Sequence, residues 1–275
     1  MVDLGTLPAG GYSFSHAIND TSQIVGEAST SCGVPCGVLH GFICNGSGPL
    51  QDLGVAPGAT MSNMQGINRF GHIVGSSNKT SAGIFGDSFL YEGSYAYPPG
   101  IPYTNSTGPL SMNDQDQIAG GYRVVAGGNP QAFFWNAGTF TNLGTLPGGS
   151  ASTAYAMNNA GQVVGYSFTS TGSIHGFLWS SATGMIDLVP LAGWPYAAGS
   201  AINDLGYVVG YVYDGSGNNR AVRWNLDHSV ADLNALIPAG SGWVLMSGLG
   251  INDAGKIVGY GTHNGQPRAF VLTPQ

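Results

Sequence analysis

The residues of this chain that could serve as an acid and a base are those that break an otherwise repeated pattern. Glu27 stands where three later segments have tyrosine, and His16 stands where others have glutamine, tyrosine or serine. A glutamate and a histidine within hydrogen-bond reach can act as general base and general acid. Arg123 and Asp214 are secondary candidates. An incidental polar contact between Glu27 and His16 is the alternative interpretation.

A second possible chemistry is sugar recognition, because several aromatic residues stand among Asn, Ser, Thr and Gly. An aromatic face stacks on the apolar face of a pyranose ring, and neighbouring polar groups bind its hydroxyls. We expect two of the tryptophans to lie in loops, whereas the tyrosines could instead pack between strands. The candidate ligand-binding residues are Tyr12, Tyr166, Trp194, Tyr196, Tyr211, Trp243 and Tyr260, of which Trp194 and Trp243 are the loop tryptophans.

The sequence predicts no metal and no cofactor. Cys32, Cys36 and Cys44 allow a Cys32–Cys36 or a Cys36–Cys44 disulfide with one free thiol. A zinc site there would lack a fourth sulfur, and His40 is the only imidazole nearby. The sequence also lacks the nucleophile elbow, the zinc-protease motif, the phosphate loop and the dinucleotide-binding glycines.

These candidates are positioned by a segment that recurs six times. Each repeat gives four short strand signals and no helical periodicity. A period of this size is typical of a propeller blade built from four strands. The shared asparagines are Asn19, Asn68, Asn113, Asn158, Asn203 and Asn252, which are 45 or 49 residues apart.

Each repeat contains separate motifs for its turn, its core strand and its last strand. An Asn-Asp-x-Gly motif predicts the turn between strands 1 and 2, where Asn or Asp bonds the nearby backbone and Gly adopts a positive φ. Strand 3 is aromatic, and strand 4 is an Asp-Leu element that is degraded in the second repeat, near Tyr95 to Tyr97. The expected core tryptophans are Trp135, Trp179 and Trp224, and the expected turn acids, which offer too few oxygens for calcium, are Asp20, Asp114, Asp204 and Asp253.

The sequence therefore predicts a single all-β domain, a six-bladed β-propeller with four-stranded blades. The sixth repeat has no Asp-Leu strand, whereas Met1 to Gly5 match that strand. Pairing of this N-terminal strand with the last blade would remove two free sheet edges. The repeats are expected near residues 12–54, 60–97, 106–144, 151–189, 197–234 and 244–272, the last completed by 1–5.

The composition limits the classes of partner. Only 8% of the 275 residues are charged, and 7 Lys and Arg stand against 14 Asp and Glu without any basic cluster. We therefore expect neither nucleic acid nor an anionic membrane surface as a partner. No apolar run approaches the roughly 18 residues that span a bilayer, so membrane insertion is not expected, and the first residues do not resemble a signal peptide.

Three motifs recur along the chain, namely Ile-Asn-Asp-x-Gly-x-Val-Val-Gly, His/Gln/Arg-Ala/Gly-Phe-Leu-Trp and Asp-Leu-Gly-Thr-Leu-Pro-Gly-Gly. They resemble those of the bacterial extracellular HAF-repeat family, and the likeness is best from Thr141 to Trp179. The second repeat departs by losing its Asp-Leu strand, and the fifth has Val222 where Phe is usual. The resemblance implies a secreted or surface repeat protein and carries no catalytic residue.

Three functions are compatible with these patterns. The first is a non-catalytic extracellular binding module that recognises a carbohydrate or another surface polymer on the loop-rich face. The second is a propeller hydrolase or lyase acting on glycans, with Glu27 and His16 near the central channel. The third is a structural repeat protein. A propeller fold does not select among them, because such folds host all three.

Overall fold

The structure, a computed structural model, describes residues 3–31, 38–78, 86–102, 108–125 and 128–274. The described residues form 23 β-strands and one short 3-10 helix, Leu233–Leu236. Two compact units divide the chain, the N-terminal unit (residues 1–141) and the C-terminal unit (residues 142–275). The single-domain organisation stays a prediction, whereas the all-β class is confirmed.

The strands of the first three repeats form three four-stranded antiparallel sheets. The first sheet contains β1 (Ser13–Ile18), β2 (Gln23–Ser29), β3 (Leu39–Asn45) and β4 (Gln51–Gly54). The second contains β5 (Ser62–Ile67), β6 (Ile73–Ser77), β7 (Asp87–Tyr91) and β8 (Tyr95–Ala96). The third contains β9 (Gly108–Met112), β10 (Ile118–Arg123), β11 (Pro130–Asn136) and β12 (Thr139–Gly144). As the sequence predicts, the last strand of the second sheet is very short.

The later repeats form two further four-stranded sheets and one of three strands. The fourth sheet contains β13 (Ser152–Met157), β14 (Val163–Phe168), β15 (Ile174–Ser180) and β16 (Gly184–Leu188). The fifth contains β17 (Tyr196–Ile202), β18 (Val208–Tyr213), β19 (Asn219–Trp224) and β20 (Val230–Asp232). The sixth contains β21 (Trp243–Ile251), β22 (Ile257–His263) and β23 (Gln266–Leu272).

Among the described residues the sixth sheet has three strands, whereas the sequence predicts four in every blade. Asp3 to Thr6 belong to no strand, and residues 1 and 2 lie outside the described residues. The N-terminal segment nevertheless has the local conformation of the later Asp-Leu elements. Gly5 N bonds the Asp3 carboxylate at 2.9 Å and Ser13 Oγ bonds the Gly5 carbonyl at 2.7 Å, as Asp52, Gly54 and Ser62 do one repeat later. Pairing of this segment with the last sheet stays a prediction.

A glycine at the end of each Val-Val-Gly motif lets strands 1 and 2 approach closely. A Cβ at Gly165 would lie 2.0 Å from the Thr153 carbonyl oxygen, and one at Gly210 would lie 2.0 Å from that of Ala198. Any larger residue would therefore push the two strands apart. Strand 1 also carries a bulge that interrupts its pairing with strand 2. In the first, second, fourth and fifth sheets the residues in the bulges are His16, Gln65, Tyr155 and Ser200.

The shared asparagines join neighbouring blades as well as shaping their own turns. The Asn203 amide oxygen accepts from Tyr207 N at 2.9 Å, which closes its own turn. Its Nδ2 donates to the Asn252 carbonyl at 3.1 Å, and Asn158 Nδ2 donates in the same way to the Asn203 carbonyl at 3.0 Å. Asn158 and Asn203 are each only 4% exposed. The recurring asparagine is therefore a structural link between blades.

The core lies between the sheets and is aromatic at strand 3. The predicted core tryptophans are confirmed, with Trp135, Trp179 and Trp224 exposed by 6%, 8% and 0%. Trp224 Nε1 donates to the Val189 carbonyl at 3.1 Å, so the buried polar end of this ring has a partner. The turn acids act across blades: Asp253 Oδ1 accepts from Asp204 N at 2.8 Å.

Candidate functional site

A tyrosine-rich cavity of about 200 Å³ lies between the fourth and fifth sheets in the C-terminal unit. Four of its seven lining residues are tyrosines. The volume is below the roughly 300–1,000 Å³ of drug-sized pockets, so it suits one small ring rather than a long ligand. The lining residues are Tyr155, Tyr166, Phe168, Ile174, Ala198, Tyr211 and Tyr213, which we call the tyrosine pocket.

Strand periodicity explains why these aromatic residues meet. Tyr166 and Phe168 are two residues apart on β14, and Tyr211 and Tyr213 are two residues apart on β18, so each pair lies on one face of its strand. Tyr155 lies in the bulge of β13. Each strand 2 pair begins directly after the glycine that lets strand 1 approach closely. The repeat thus brings the rings together at the end of two adjacent sheets.

The rings form a connected aromatic surface. The Tyr155 and Tyr166 ring centres are 5.5 Å apart, and those of Tyr211 and Tyr213 are 5.9 Å apart. Tyr196 stacks on Tyr213 at 4.8 Å with an interplanar angle of 25° and so extends this surface behind the cavity. Such spacings are typical of favourable aromatic pairs, which keep the rings in fixed orientations.

Three hydroxyls of the pocket, those of Tyr155, Tyr211 and Tyr213, are neutral donors at physiological pH. Burial, followed by repulsion from neighbouring phenolates, raises the pKa of Tyr155, Tyr211 and Tyr213 above the ordinary value. Tyr166 accepts a hydrogen bond from Thr153 Oγ1 at 3.3 Å. Among the described residues the Tyr155, Tyr211 and Tyr213 hydroxyls have no hydrogen-bond partner. They can therefore bond to a ligand without breaking a bond within the protein.

The structure brings together part of the predicted ligand-binding set. Tyr166 and Tyr211 line the pocket, and Tyr196 supports it through Tyr213. Tyr260, on the sixth sheet and 42% exposed, is near enough to Tyr211 for its negative charge to raise the Tyr211 pKa. The sequence interpretation missed Tyr155, Phe168 and Tyr213. Phe168 and Tyr213 could have been found from the sequence, because each stands two residues after Tyr166 or Tyr211 and so lies on the same face of its strand.

The other predicted aromatic residues lie elsewhere. Trp194 precedes β17, and the Arg220 guanidinium lies 5.6 Å from its ring centre. The expectation that Trp243 lies in a loop is wrong, because it begins β21, where strand pairing with His263 fixes it. Its ring stacks on the His263 ring at 4.9 Å and lines a separate cavity of about 280 Å³. Tyr12 precedes β1 and contacts Phe14, with ring centres 5.4 Å apart.

The candidate acid and base lie on two paired strands and are not joined by a hydrogen bond among the described residues. Glu27 lies opposite Phe14 in the β1–β2 pairing, whereas His16 occupies the exposed bulge of β1. Within the described ranges no hydrogen bond or ion pair links their side chains, and Glu27 Oε2 is buried without a partner. The secondary candidates serve their own loops. Arg123 donates to the Gly128 carbonyl, and hydrogen bonds from Asn218 and Ser216 lower the Asp214 pKa.

The cysteine predictions are only partly open to examination. Cys44 is buried with a free thiol, and burial raises its pKa. The free thiol of Cys44 contradicts the Cys36–Cys44 alternative, whereas the Cys32–Cys36 alternative stays a prediction because both residues lie outside the described residues. His40, the imidazole nearest to these cysteines in sequence, instead pairs with Asp52, its Nδ1 lying 2.9 Å from each carboxylate oxygen.

Comparison with known proteins identifies the fold. No family model matches the chain, and no curated protein matches it. TolB from Acinetobacter baumannii superposes with a TM-score of 0.58 at 10% identity, over 92% of this chain and 62% of TolB. A puromycin-hydrolysing peptidase from Mycobacterium tuberculosis gives 0.50 at 13% identity, over 98% of this chain and 44% of the peptidase. The fucose-recognising fungal lectin of Aleuria aurantia, a six-bladed β-propeller, gives 0.42 at 13% identity, over 97% and 92% of the two chains.

These likenesses concern the fold alone, because the identities are so low. This chain has the fold of a six-bladed β-propeller. It spans about three-fifths of the length of TolB and less than half of the peptidase. None of the helices in the described ranges is long and apolar enough to cross a membrane.

Proposed function

We propose that this protein is a non-catalytic carbohydrate-binding module whose tyrosine pocket receives one sugar ring of a larger glycan. The observation that carries the proposal is the set of unpartnered hydroxyls on Tyr155, Tyr211 and Tyr213 around a small aromatic cavity. Sugar rings offer both an apolar face and hydroxyls, so they match such a surface.

The low charge of the pocket supports a neutral ligand. Its lining contains no ionisable group other than tyrosines, and burial raises the pKa of Tyr155, Tyr211 and Tyr213, so these three unpartnered hydroxyls are protonated at neutral pH. Tyr166 and Tyr260 lie on β14 and β22, the second strands of the sheets on either side of the one that carries Tyr211. Tyr260 therefore extends the aromatic surface toward the sixth sheet. A glycan chain could contact this extension beyond the ring held in the cavity. Secretion or display on the cell surface, together with membership of the HAF-repeat family, belongs to the same proposal and rests on the repeat motifs.

A glycan array on the purified chain tests the proposal, with reducing-sugar release measured on every captured glycan. We expect binding without release. Tyr155→Phe removes one unpartnered hydroxyl and keeps the ring, so it should weaken binding about 10-fold, the contribution of one hydrogen bond. Tyr12→Phe, which removes a hydroxyl outside the pocket, should leave the affinity unchanged.

The other outcomes would overturn the proposal in different ways. Release of sugar that Glu27→Gln abolishes would establish the glycan-hydrolysing alternative. Binding that Tyr155→Phe and Tyr213→Ala both leave intact would move the site away from the tyrosine pocket, with the Trp243 cavity as the next surface to test. The absence of both glycan binding and sugar release would favour the role of a structural repeat protein.

A further inference from the structure

A cluster of one imidazole and two carboxylates lies in the N-terminal unit, at the turns of the second and third sheets. His72 Nδ1 is 2.8 Å from Asp116 Oδ1 and 3.6 Å from Glu92 Oε1. His72 ends the β5–β6 turn, Glu92 begins the β7–β8 turn, and Asp116 lies in the β9–β10 turn. One potential ligand atom from each lies within 4.8 Å of the other two.

Two of these residues, His72 and Asp116, replace the hydrogen-bonding arrangement that other repeats have beside the shared asparagine. Four residues after the shared asparagine, three other repeats have Gln23, Gln117 or Gln162, each of which accepts from the Nδ2 of its own asparagine. In the second repeat this position is His72, and Asn68 Nδ2 donates to Asp116 Oδ1 of the next blade at 2.8 Å. His72 therefore does not make the hydrogen bond to the shared asparagine that the glutamines make in the other repeats.

Comparison with the other histidine–aspartate pairs separates this cluster from the scaffold. His40 pairs with Asp52, and His175 pairs with Asp187, each joining strand 3 to strand 4 of one sheet. Arg220 and Asp232 occupy the same positions in the fifth sheet, so these pairs are a repeated structural device. Among the described residues, only the His72 cluster brings a third His, Cys, Asp or Glu ligand within reach.

The ligand set suits a divalent transition metal. Zinc takes imidazole nitrogen and carboxylate oxygen at about 2.0–2.2 Å, so ligand atoms of a tetrahedral site are about 3.3 Å apart. The 3.6 Å separation is close to that value, and the 2.8 Å separation needs only a small rotation of side chains that are 31% and 34% exposed. Calcium and magnesium prefer all-oxygen ligand sets, which makes the imidazole a poor ligand for them.

We propose that His72, Glu92 and Asp116 bind one Zn²⁺ ion, with the remaining coordination position open to water. The ion would join three turns of two neighbouring blades and would add to the cross-blade bonds that Asn68 makes to Asn113 and Asp116. The sequence expectation of no metal missed this set because its members stand in three separate turns. They are 20 and 24 residues apart and form no local motif.

Zinc titration of the full chain by calorimetry, after removal of metals with a chelator, tests the proposal. We expect one Zn²⁺ per chain. His72→Gln restores the residue of three other repeats and should weaken binding at least about 10-fold, and Glu92→Gln should do the same, because even outer-shell changes at zinc sites cost about 10–100-fold. His175→Gln is the matched control, since it breaks a histidine–aspartate pair that has no third ligand, and it should bind zinc like the parent.

Three results would overturn the proposal: no zinc binding by the parent, binding that survives both His72→Gln and Glu92→Gln, or a loss in His175→Gln as large as in His72→Gln. Survival in both variants would place the metal outside the His72 cluster. Circular dichroism checks that each variant is folded. If His72→Gln fails to fold, the zinc affinity of Glu92→Gln tests the proposal by itself. The Glu92 side chain is 48% exposed in a turn, so removal of its charge leaves the core unchanged.

Discussion

The two compact units use the same repeat and present different surfaces with it. After the strand 2 glycine, the C-terminal unit has Tyr166, Tyr211 and Tyr260, whereas the N-terminal unit has Glu27, Ser76 and Gly121. In the strand 1 bulge, Tyr155 of the C-terminal unit corresponds to His16 of the N-terminal unit. The fold therefore does not require an aromatic residue at these positions.

This difference separates the scaffold from the surfaces that vary. The shared asparagines, the strand 2 glycines and the strand 3 aromatics recur in both units because they make turns, strand contacts and the core. The residues between them change without loss of the sheets. Different variable positions form the two candidate sites. The strand 1 bulge and the end of strand 2 supply the tyrosine pocket in the C-terminal unit, and turn residues supply the His72 cluster in the N-terminal unit. Substitutions should therefore divide into scaffold changes, which lower stability, and surface changes, which alter binding.

The largest expected effect is on a scaffold tryptophan. Trp224→Ala should lower the free energy of unfolding by about 3–5 kcal/mol, because it empties a fully buried site and leaves the Val189 carbonyl without its partner. Trp194→Ala removes a half-buried ring that packs against the edge of the same core cluster and lies beside Arg220, so it should cost less, about 1–2 kcal/mol. Urea denaturation of both variants measures the difference. Equal losses would contradict the division between scaffold and surface.

An intermediate effect is expected from a tyrosine that belongs to the scaffold. The Tyr95 hydroxyl lies 3.0 Å from the Leu53 carbonyl oxygen and 3.1 Å from that of Gly54, and burial raises its pKa to about 12. In the unfolded chain the same group titrates near pH 10. Between these values the unfolded state loses a proton that the folded state keeps, so stability falls as pH rises from about 10 to about 12, by at most about 3 kcal/mol.

Tyr95→Phe should remove this part of the alkaline dependence. Unfolding free energies of the parent and the variant are measured between pH 8 and 12, a range set by the tyrosine pKa values. The variant should be less stable at pH 8 by about 1 kcal/mol, the value of its lost hydrogen bond, and its stability should fall less steeply above pH 10. Parallel pH profiles would show that Tyr95 does not carry the effect.

A smaller effect is expected at the shared asparagines, and it should depend on burial. Asn203→Ala removes the bonds to Tyr207 N and to the Asn252 carbonyl from a buried site, at a cost of about 1–3 kcal/mol. Asn252→Ala removes a bond to Lys256 N at an exposed position and should cost about 1 kcal/mol or less. Thermal melts compare the two. A larger loss for Asn252→Ala would show that burial does not set the importance of this residue.

Much of the fold follows from the sequence because its physical causes recur at fixed intervals. Asn203 closes its turn and Trp224 is buried, as the repeat predicts. The cross-blade bond of the Asn203 side chain was not predicted, because nothing in one repeat shows which group of the next blade it meets. Among the described residues the sixth sheet has three strands, and its completion by Met1 to Gly5 stays a prediction.

The candidate site follows from the sequence less completely. Tyr166 and Tyr211 stand out by their repeated position, and strand alternation would have added Phe168 and Tyr213. Tyr155 could not be selected in this way, because the bulge residue differs from repeat to repeat. Aromatic character alone also failed to distinguish Trp243, which packs on His263, from a residue that lines the tyrosine pocket. Contacts between sheets, which decide these cases, leave no local sequence pattern.

The crystal structure of the protein with a glycan captured from the array tests the central claim most directly. The account predicts one sugar ring in the tyrosine pocket, packed against Tyr211 or Tyr213 and bonded to the Tyr155 hydroxyl. The N-terminal unit, which lacks the aromatic positions, should carry no sugar. A glycan bound in the N-terminal unit or beside Trp243, with an empty tyrosine pocket, would contradict the account.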